Sequence, residues 1–415
     1  MHVVIATVGT RGDVQPYVAL GKELQRRGHR LTIATNTDHG PLVESHGLAH
    51  RGVCGDFREL LSSPPGRRWI ESADPVRYIR TARALFEPLA RAWIEDFDKA
   101  LADADVVLSH AVTPPSLAVC RGRRARFLLV SPFASIPSRE IGLGLPEIPF
   151  VTPVVNRFAF RFLLDQFWKI GARDVASYLR ARGVEPPRGA PWRELVDREI
   201  PHLHLFSEHV VPRPTDWPGC AEVLGYAFLD DAPGWQPPAA LVDFLASGPP
   251  PVYVGFGSMT GMDPEQLAQL TRNALRLSRT RAVIGMGWGG MRGFTGADDL
   301  FVVDDVPHHW LFPRVSAVVQ HCGAGTVAAA LRAGRPIVAV PFFADQPTWA
   351  NLVHARGVAP APVPRRTLTA QRLATAITAA TTNPRYAARA AQIGALLATE
   401  HGAARAADRV LHHLA

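Results

Sequence analysis

Short apolar runs alternate with amphipathic stretches along this chain, and the alternation predicts strands and helices in turn. Val3–Thr7, Leu31–Thr35, Asp105–Ser109 and Leu203–Ser207 read as strands in the first half. Val252–Phe256, Ala282–Met286, Phe301–Val303, Ala317–Val319 and Ile337–Val340 read the same way in the second. Their near-continuous hydrophobicity is that of parallel strands covered on both faces. Between them, helical patterns run from Pro16 to about Arg27, from Pro264 to about Leu277 and from Val327 to Arg332, and Ala-rich helix continues from Leu368 onwards. Gly28, Gly334 and Pro336 are the stop signals. The prediction is an α/β fold with parallel sheets.

At 415 residues the chain has room for two domains, each with its own core. Pro212, Pro214 and Pro218 mark a linker over 212–220, leaving domains at 1–211 and 221–399 and a last helix over 400–415.

The turns at the strand ends carry the candidate chemistry. After Ala317–Val319 comes His321-Cys322-Gly323-Ala324-Gly325-Thr326, and the next helix starts there. Small residues at a helix N-terminus let backbone N–H groups approach an anion, and Thr326 and His321 add side-chain donors. This unit holds no lysine and lacks Walker A spacing. The strand Ile337–Val340 then delivers Asp345-Gln346, which suit sugar hydroxyls rather than phosphate. Two kinds of recognition at adjacent strand ends imply one ligand with a diphosphate and a sugar.

A second constellation follows the first strand, at Gly9-Thr10-Arg11-Gly12-Asp13. G-x-x-G is not the dinucleotide fingerprint, and Asn36-Thr37-Asp38 lacks an acidic residue at the second strand's end, which disfavours a dehydrogenase. Asp13 suits a general base on a Gly-flanked loop; it also suits a helix N-cap. His110, after the strand Asp105–Ser109, is either a partner or substitute base for Asp13, or a packed histidine.

HCGAGT, GRPIVAVPFFADQPTWAN and GTRGDVQP resemble the signatures of inverting nucleotide-sugar glycosyltransferases of GT-B fold. The similarity is to the branch of sterol glucosyltransferases and bacterial antibiotic glycosyltransferases. It implies two Rossmann-like domains facing each other across a cleft, acceptor-binding first and donor-binding second, with the last helix returning to the first domain. It makes Asp13 the catalytic base. It places Thr10, Arg11, Gly12, Ser258, His321, Gly323, Ala324, Gly325, Thr326, Asp345 and Gln346 around the donor. Asp305 stands where plant relatives carry a uracil-stacking tryptophan, which leaves the Val306 backbone and Trp288 for the base. Ala329 stands where those relatives hold ribose with glutamate, so UDP and dTDP donors are not distinguished. The apolar, Pro-rich stretch Phe127–Ile170 falls where relatives bind acceptor.

The implied activity is inverting transfer of a hexose from a UDP- or dTDP-sugar to a hydroxyl of an apolar natural product, lipid or sterol-like molecule. A non-catalytic auxiliary protein that keeps the nucleotide site is the alternative. No cofactor is expected, and no Asp-x-Asp triplet lies beside the phosphate turn to hold magnesium.

A net charge of +8 does not make this a nucleic-acid binder, because the basic residues, only three of them lysine, are dispersed. Small clusters at Arg67-Arg68 and Arg121–Arg126 read as solvated faces or as contacts with an anionic membrane surface. Four scattered cysteines and the absence of a signal-like N-terminus fit a reduced, cytoplasmic protein, monomeric or homodimeric.

Overall fold

Two all-parallel sheets organise the chain, and each reverses its strand order once. The computed structural model describes every residue except 73, 112, 142–152, 231–232, 258–261, 288–293, 295 and 415. The first sheet contains β1 (His2–Ala6), β2 (Arg30–Asn36), β3 (Ala49–Val53), β4 (Val106–His110), β5 (Arg126–Ser131), β6 (His202–His204) and β7 (Ala221–Val223). Its order is β3-β2-β1-β4-β5-β6-β7. The second contains β8 (Val252–Gly255), β9 (Ala282–Gly285), β10 (Leu300–Val303), β11 (Ala317–Gln320) and β12 (Ile337–Ala339), in the order β10-β9-β8-β11-β12. Successive connections leave to opposite sides of β1 and of β8. Loops at the carboxyl ends of β1 and β4, and of β8 and β11, therefore diverge and leave a crevice for ligand.

The apolar runs are central strands: β1, β4 and β8 are wholly buried. Ala49–Val53 gave no apolar signal because β3 is an edge strand with mostly solvated side chains. The helix Pro153–Arg180 lies in a stretch whose composition alone reads as core and loops.

The chain divides into two compact units, one of Met1–Leu143, Ile148–Asp231 and Glu400–Ala415, the other including Ala232–Thr399. The proline-marked stretch 212–220 lies inside the first unit, and the run after it pairs as β7 with β6. Arg213 explains the difference, since its guanidinium donates to the carbonyls of Pro218 and Ala221 and folds this stretch back. The helix Gly402–His412 puts Ala406, Ala407 and Val410 into the same core as Val3, Ile5 and Leu20. Arg409 and His413 both grip Glu222, which sits on β7. The second unit has its own core, with Val254, Ile284, Val319 and Val338 at the sheet and Leu275 and Ile377 on covering helices. Among the described residues no helix is long and apolar enough to cross a membrane.

Candidate active site

In the first unit the loop after β1 enters the helix Arg11–Arg26 with Thr10 as its N-cap, so Asp13 stands in the first turn and is not itself the cap. Its Oδ2 accepts from the Thr10 backbone N–H at 2.8 Å and from the Thr10 hydroxyl at 3.0 Å. A carboxylate in the first turn of a helix also gains from the dipole. The carboxylate lies directly over Gly9, whose φ is +145° and where an added Cβ would sit 2.4 Å from Oδ2. Only glycine fits there.

The other carboxylate oxygen, Oδ1, lies 3.9 Å from Nε2 of His110. His110 ends β4, the strand paired with β1, so the two loops meet at the point where the strand order reverses. Its ring is fully buried, edge-on to Tyr17 at 5.7 Å and to Phe133 at 5.5 Å. Neither ring nitrogen has a hydrogen-bond partner. Burial pushes its pKa down to about 3, so the imidazole is neutral at physiological pH. Tyr17, donating to the Val130 carbonyl at 2.6 Å, fixes one wall of this cage.

Two residues that sequence reasoning passed over hold the loop. Asn36, at the end of β2, accepts from the Gly9 N–H at 3.1 Å and donates to the Gly55 carbonyl at 3.1 Å. His39 donates from Nε2 to the Gly9 carbonyl at 2.9 Å. An uncharged amide closing an apolar strand is the sequence signal for Asn36. Arg11 and Gly12 are exposed, and Arg11 Nε bonds Gln15 at 3.1 Å.

In the second unit β11 leads through His321 to the helix Ala324–Arg332, with Gly323 at the N-cap and no side-chain cap bond. A Cβ at Gly325 would meet nothing within 4 Å, so the approach to the first turn is open. Thr326 is partly exposed in that turn, and its carbonyl accepts from the buried Gln320. The His321 ring is wedged between glycines: an added Cβ would lie 2.6 Å from it at Gly323 and 2.9 Å at Gly257. Burial pushes its pKa down to about 4, and its Nδ1 is buried without a partner. At neutral pH His321 is therefore a hydrogen-bond donor, not a cation.

Asp345 and Gln346 follow β12, and both already have work within the protein. Gln346 Oε1 accepts from the N–H groups of Phe342 and Phe343 at 2.9 and 3.2 Å. Asp345 Oδ2 accepts from Trp349 Nε1 at 2.9 Å, and burial raises its carboxyl pKa. Non-glycine residues in the left-handed region adjoin both groups, Cys322 at φ 66° beside His321 and Ala344 at φ 56° beside Asp345. Each such residue costs on the order of 1–3 kcal/mol and is held by its surroundings. Val306 is buried in the loop after β10. Ser258 and Trp288 lie outside the described residues.

Elsewhere, two Asp-x-Asp triplets are engaged structurally. Asp98 is bound by Tyr178, Arg123 and Arg182, and Asp103 by Arg30 and Arg51. Among the described residues no group of three or more His, Cys, Asp or Glu could hold a metal ion.

Residues 3–95 match the glycosyltransferase family 28 N-terminal domain, and residues 296–411 match the C-terminal domain of the erythromycin biosynthesis protein CIII-like family. The chain is 34% identical over 421 residues to an O-mycaminosyltylonolide 6-deoxyallosyltransferase of Streptomyces fradiae, covering 97% of this chain and 95% of that one. It is 34% identical over 375 residues to a sterol 3-beta-glucosyltransferase of Arabidopsis thaliana, covering 88% of this chain and 58% of the plant protein. It spans only 27% of the matching sterol 3-beta-glucosyltransferase of Cryptococcus neoformans. Among solved structures, the glycosyltransferase of kitacinnamycin superposes with a TM-score of 0.72 at 21% identity, over 99% of this chain and 97% of that one. The glycosyltransferase VinC in complex with dTDP superposes at 0.69 and 20%, over 99% of both. These likenesses identify the GT-B fold.

Proposed function

Since the chain belongs to the glycosyltransferase family that includes the Streptomyces 6-deoxyallosyltransferase and the sterol 3-beta-glucosyltransferases, we propose that it glycosylates an apolar alcohol. The donor is a UDP- or dTDP-hexose, and the acceptor hydroxyl belongs to a natural product, lipid or sterol-like molecule. The observation that carries this reading is Asp13, oriented by Thr10 over Gly9 beside the buried neutral His110.

In the proposed reaction Asp13 takes the acceptor's hydroxyl proton through Oδ1 as that oxygen bonds to the anomeric carbon. The bond from the anomeric carbon to the donor's phosphate oxygen breaks from the opposite side, so configuration inverts and a nucleoside diphosphate leaves. Neutral His110 does not compete for the proton; it positions the carboxylate and the incoming hydroxyl. In the second unit the first-turn N–H groups from Gly323 to Thr326, with the Thr326 hydroxyl and His321, stabilise the departing charge without a metal. Asp345 reads a sugar hydroxyl through Oδ1, while Oδ2 stays on Trp349.

The test is a mass-spectrometric screen of UDP- and dTDP-sugars against lipophilic alcohols and phenols, in EDTA. A hexosylated product of inverted anomeric configuration is expected. Hydrolysis of donors with no acceptor product, dependence on magnesium, or a product of retained configuration would each overturn the corresponding part.

A further inference from the structure

The helix Pro153–Arg180 carries an outward stripe with an unusual composition. Side chains spaced by three and four residues share one helix face. On the side opposite the buried Phe160, Leu163, Trp168 and Val175 lie Val154, Val155, Phe158 and Phe162 in the first turns. They are 53%, 48%, 66% and 56% exposed. Two phenylalanines a helical turn apart in full view of water are not needed by this fold, because the opposite face already fills the core around Trp93 and Phe97. Further along the same outward side the stripe turns basic, with exposed Lys169, Arg173 and Arg180. The acidic member between the halves, Asp165, accepts from Trp192 Nε1 at 3.0 Å. Arg157 and Arg161 flank the apolar half; Arg161 lies 5.5 Å from the Trp192 ring centroid, and Arg157 lies 4.0 Å from Asp216.

We infer that this stripe is a docking face for an anionic lipid surface. An interfacial helix buries an apolar side a few ångströms into the headgroup boundary and places lysines and arginines among the phosphates. Here apolar and basic segments follow one another along a single outward face, and the cations complement lipid phosphates. A second copy of the chain fits less well. Four side chains offer on the order of a few hundred Å², short of the roughly 800 Å² per partner of a stable protein interface. The inference does not depend on the proposed reaction, since it concerns attachment alone.

Co-sedimentation of the full chain with vesicles tests it, using equimolar phosphatidylcholine and phosphatidylglycerol against phosphatidylcholine alone. The protein should pellet with the mixed vesicles and bind pure phosphatidylcholine at least roughly tenfold more weakly, as expected from two or more cations near the surface. Raising the salt should release it. F158D/F162D should abolish pelleting with an unchanged melting temperature, both side chains being exposed. K169E/R173E leaves the apolar half intact and should weaken binding to mixed vesicles only. Failure of the wild type to pellet overturns the inference. So does equal pelleting by either double variant, or a dimer in sedimentation velocity that F158D/F162D dissolves while vesicle binding is absent.

Discussion

Nε2 of His110 stands 3.9 Å from Oδ1 of Asp13, although ninety-odd residues of chain separate them. One is held in an aromatic cage and kept neutral by burial, the other fixed through its second oxygen by Thr10. On the proposed reading the carboxylate is the base and the imidazole supports it.

Asp13→Asn keeps the size of the side chain but removes its basicity. Turnover should fall by about 10²–10⁴-fold, the usual scale of general-base catalysis, while calorimetric donor affinity stays nearly intact. His110→Ala should cost less and leave the pH profile of the base in place. Normal turnover by Asp13→Asn would transfer the role of base to His110.

Gly9→Ala should imitate the loss of the base without touching it. The new Cβ would sit 2.4 Å from Asp13 Oδ2, and φ there is +145°. The carboxylate must swing away or the loop must open. A drop in kcat comparable to that of Asp13→Asn, with donor binding retained, is the expected reading. Wild-type kcat would show that Asp13 needs no fixed position.

On the proposed reading, His321→Ala and Thr326→Ala each remove one donor to the leaving diphosphate. At a preorganised site such a donor is worth about 2–4 kcal/mol, or roughly 10²–10³ in rate. Both variants should be slow with every acceptor tried, and steady-state kinetics at saturating acceptor measures this. A variant with unchanged kcat and KM for donor would remove that residue from the phosphate site.

Asp345→Asn and Gln346→Ala should separate, because the two side chains carry different structural duties. Asparagine can still accept from Trp349 Nε1, so Asp345→Asn should alter sugar preference while the melting temperature holds. Gln346→Ala strands the N–H groups of Phe342 and Phe343, a penalty of about 1–3 kcal/mol for each one left unsatisfied. Its melting temperature should fall as donor affinity weakens. Thermal melts set beside donor titrations distinguish the two outcomes.

Buried histidines should make the first unit acid-labile. Burial holds His110 and His204 at about 3 and His202 at about 4, against about 6.5 in an unfolded chain. Between those values the unfolded state binds more protons, so stability rises with pH and is lost as pH falls from about 6.5 towards 4. Each group contributes up to about 1.4 kcal/mol per pH unit in that window. Urea denaturation at pH 7, 6 and 5 should show the midpoint falling with acidity, and a flat profile would contradict the burial of these rings.

The order of apolar runs and glycine-bearing turns was legible in the sequence alone. The apolar runs at Val3–Thr7, Val252–Phe256 and Ala317–Val319 supply buried strands, and His321-Cys322-Gly323 reads as a strand-to-helix turn because helix starts and small residues are local properties. What the sequence could not state was which strands are neighbours. Pairing of β1 with β4, and of β8 with β11, is a long-range choice made by packing, and it alone brings His110 to Asp13 and Gly257 to His321. The same holds for Asn36, unremarkable by type until β2 lies beside β1 and its amide reaches Gly9. Proline spacing suggested a linker at 212–220, but the guanidinium of Arg213 and the pairing of β7 fold that stretch into the first unit. Local propensity fixes the elements because it acts over a few residues. The site depends on contacts between residues from 27 to 97 positions apart, whose closure is repaid only when the whole sheet forms.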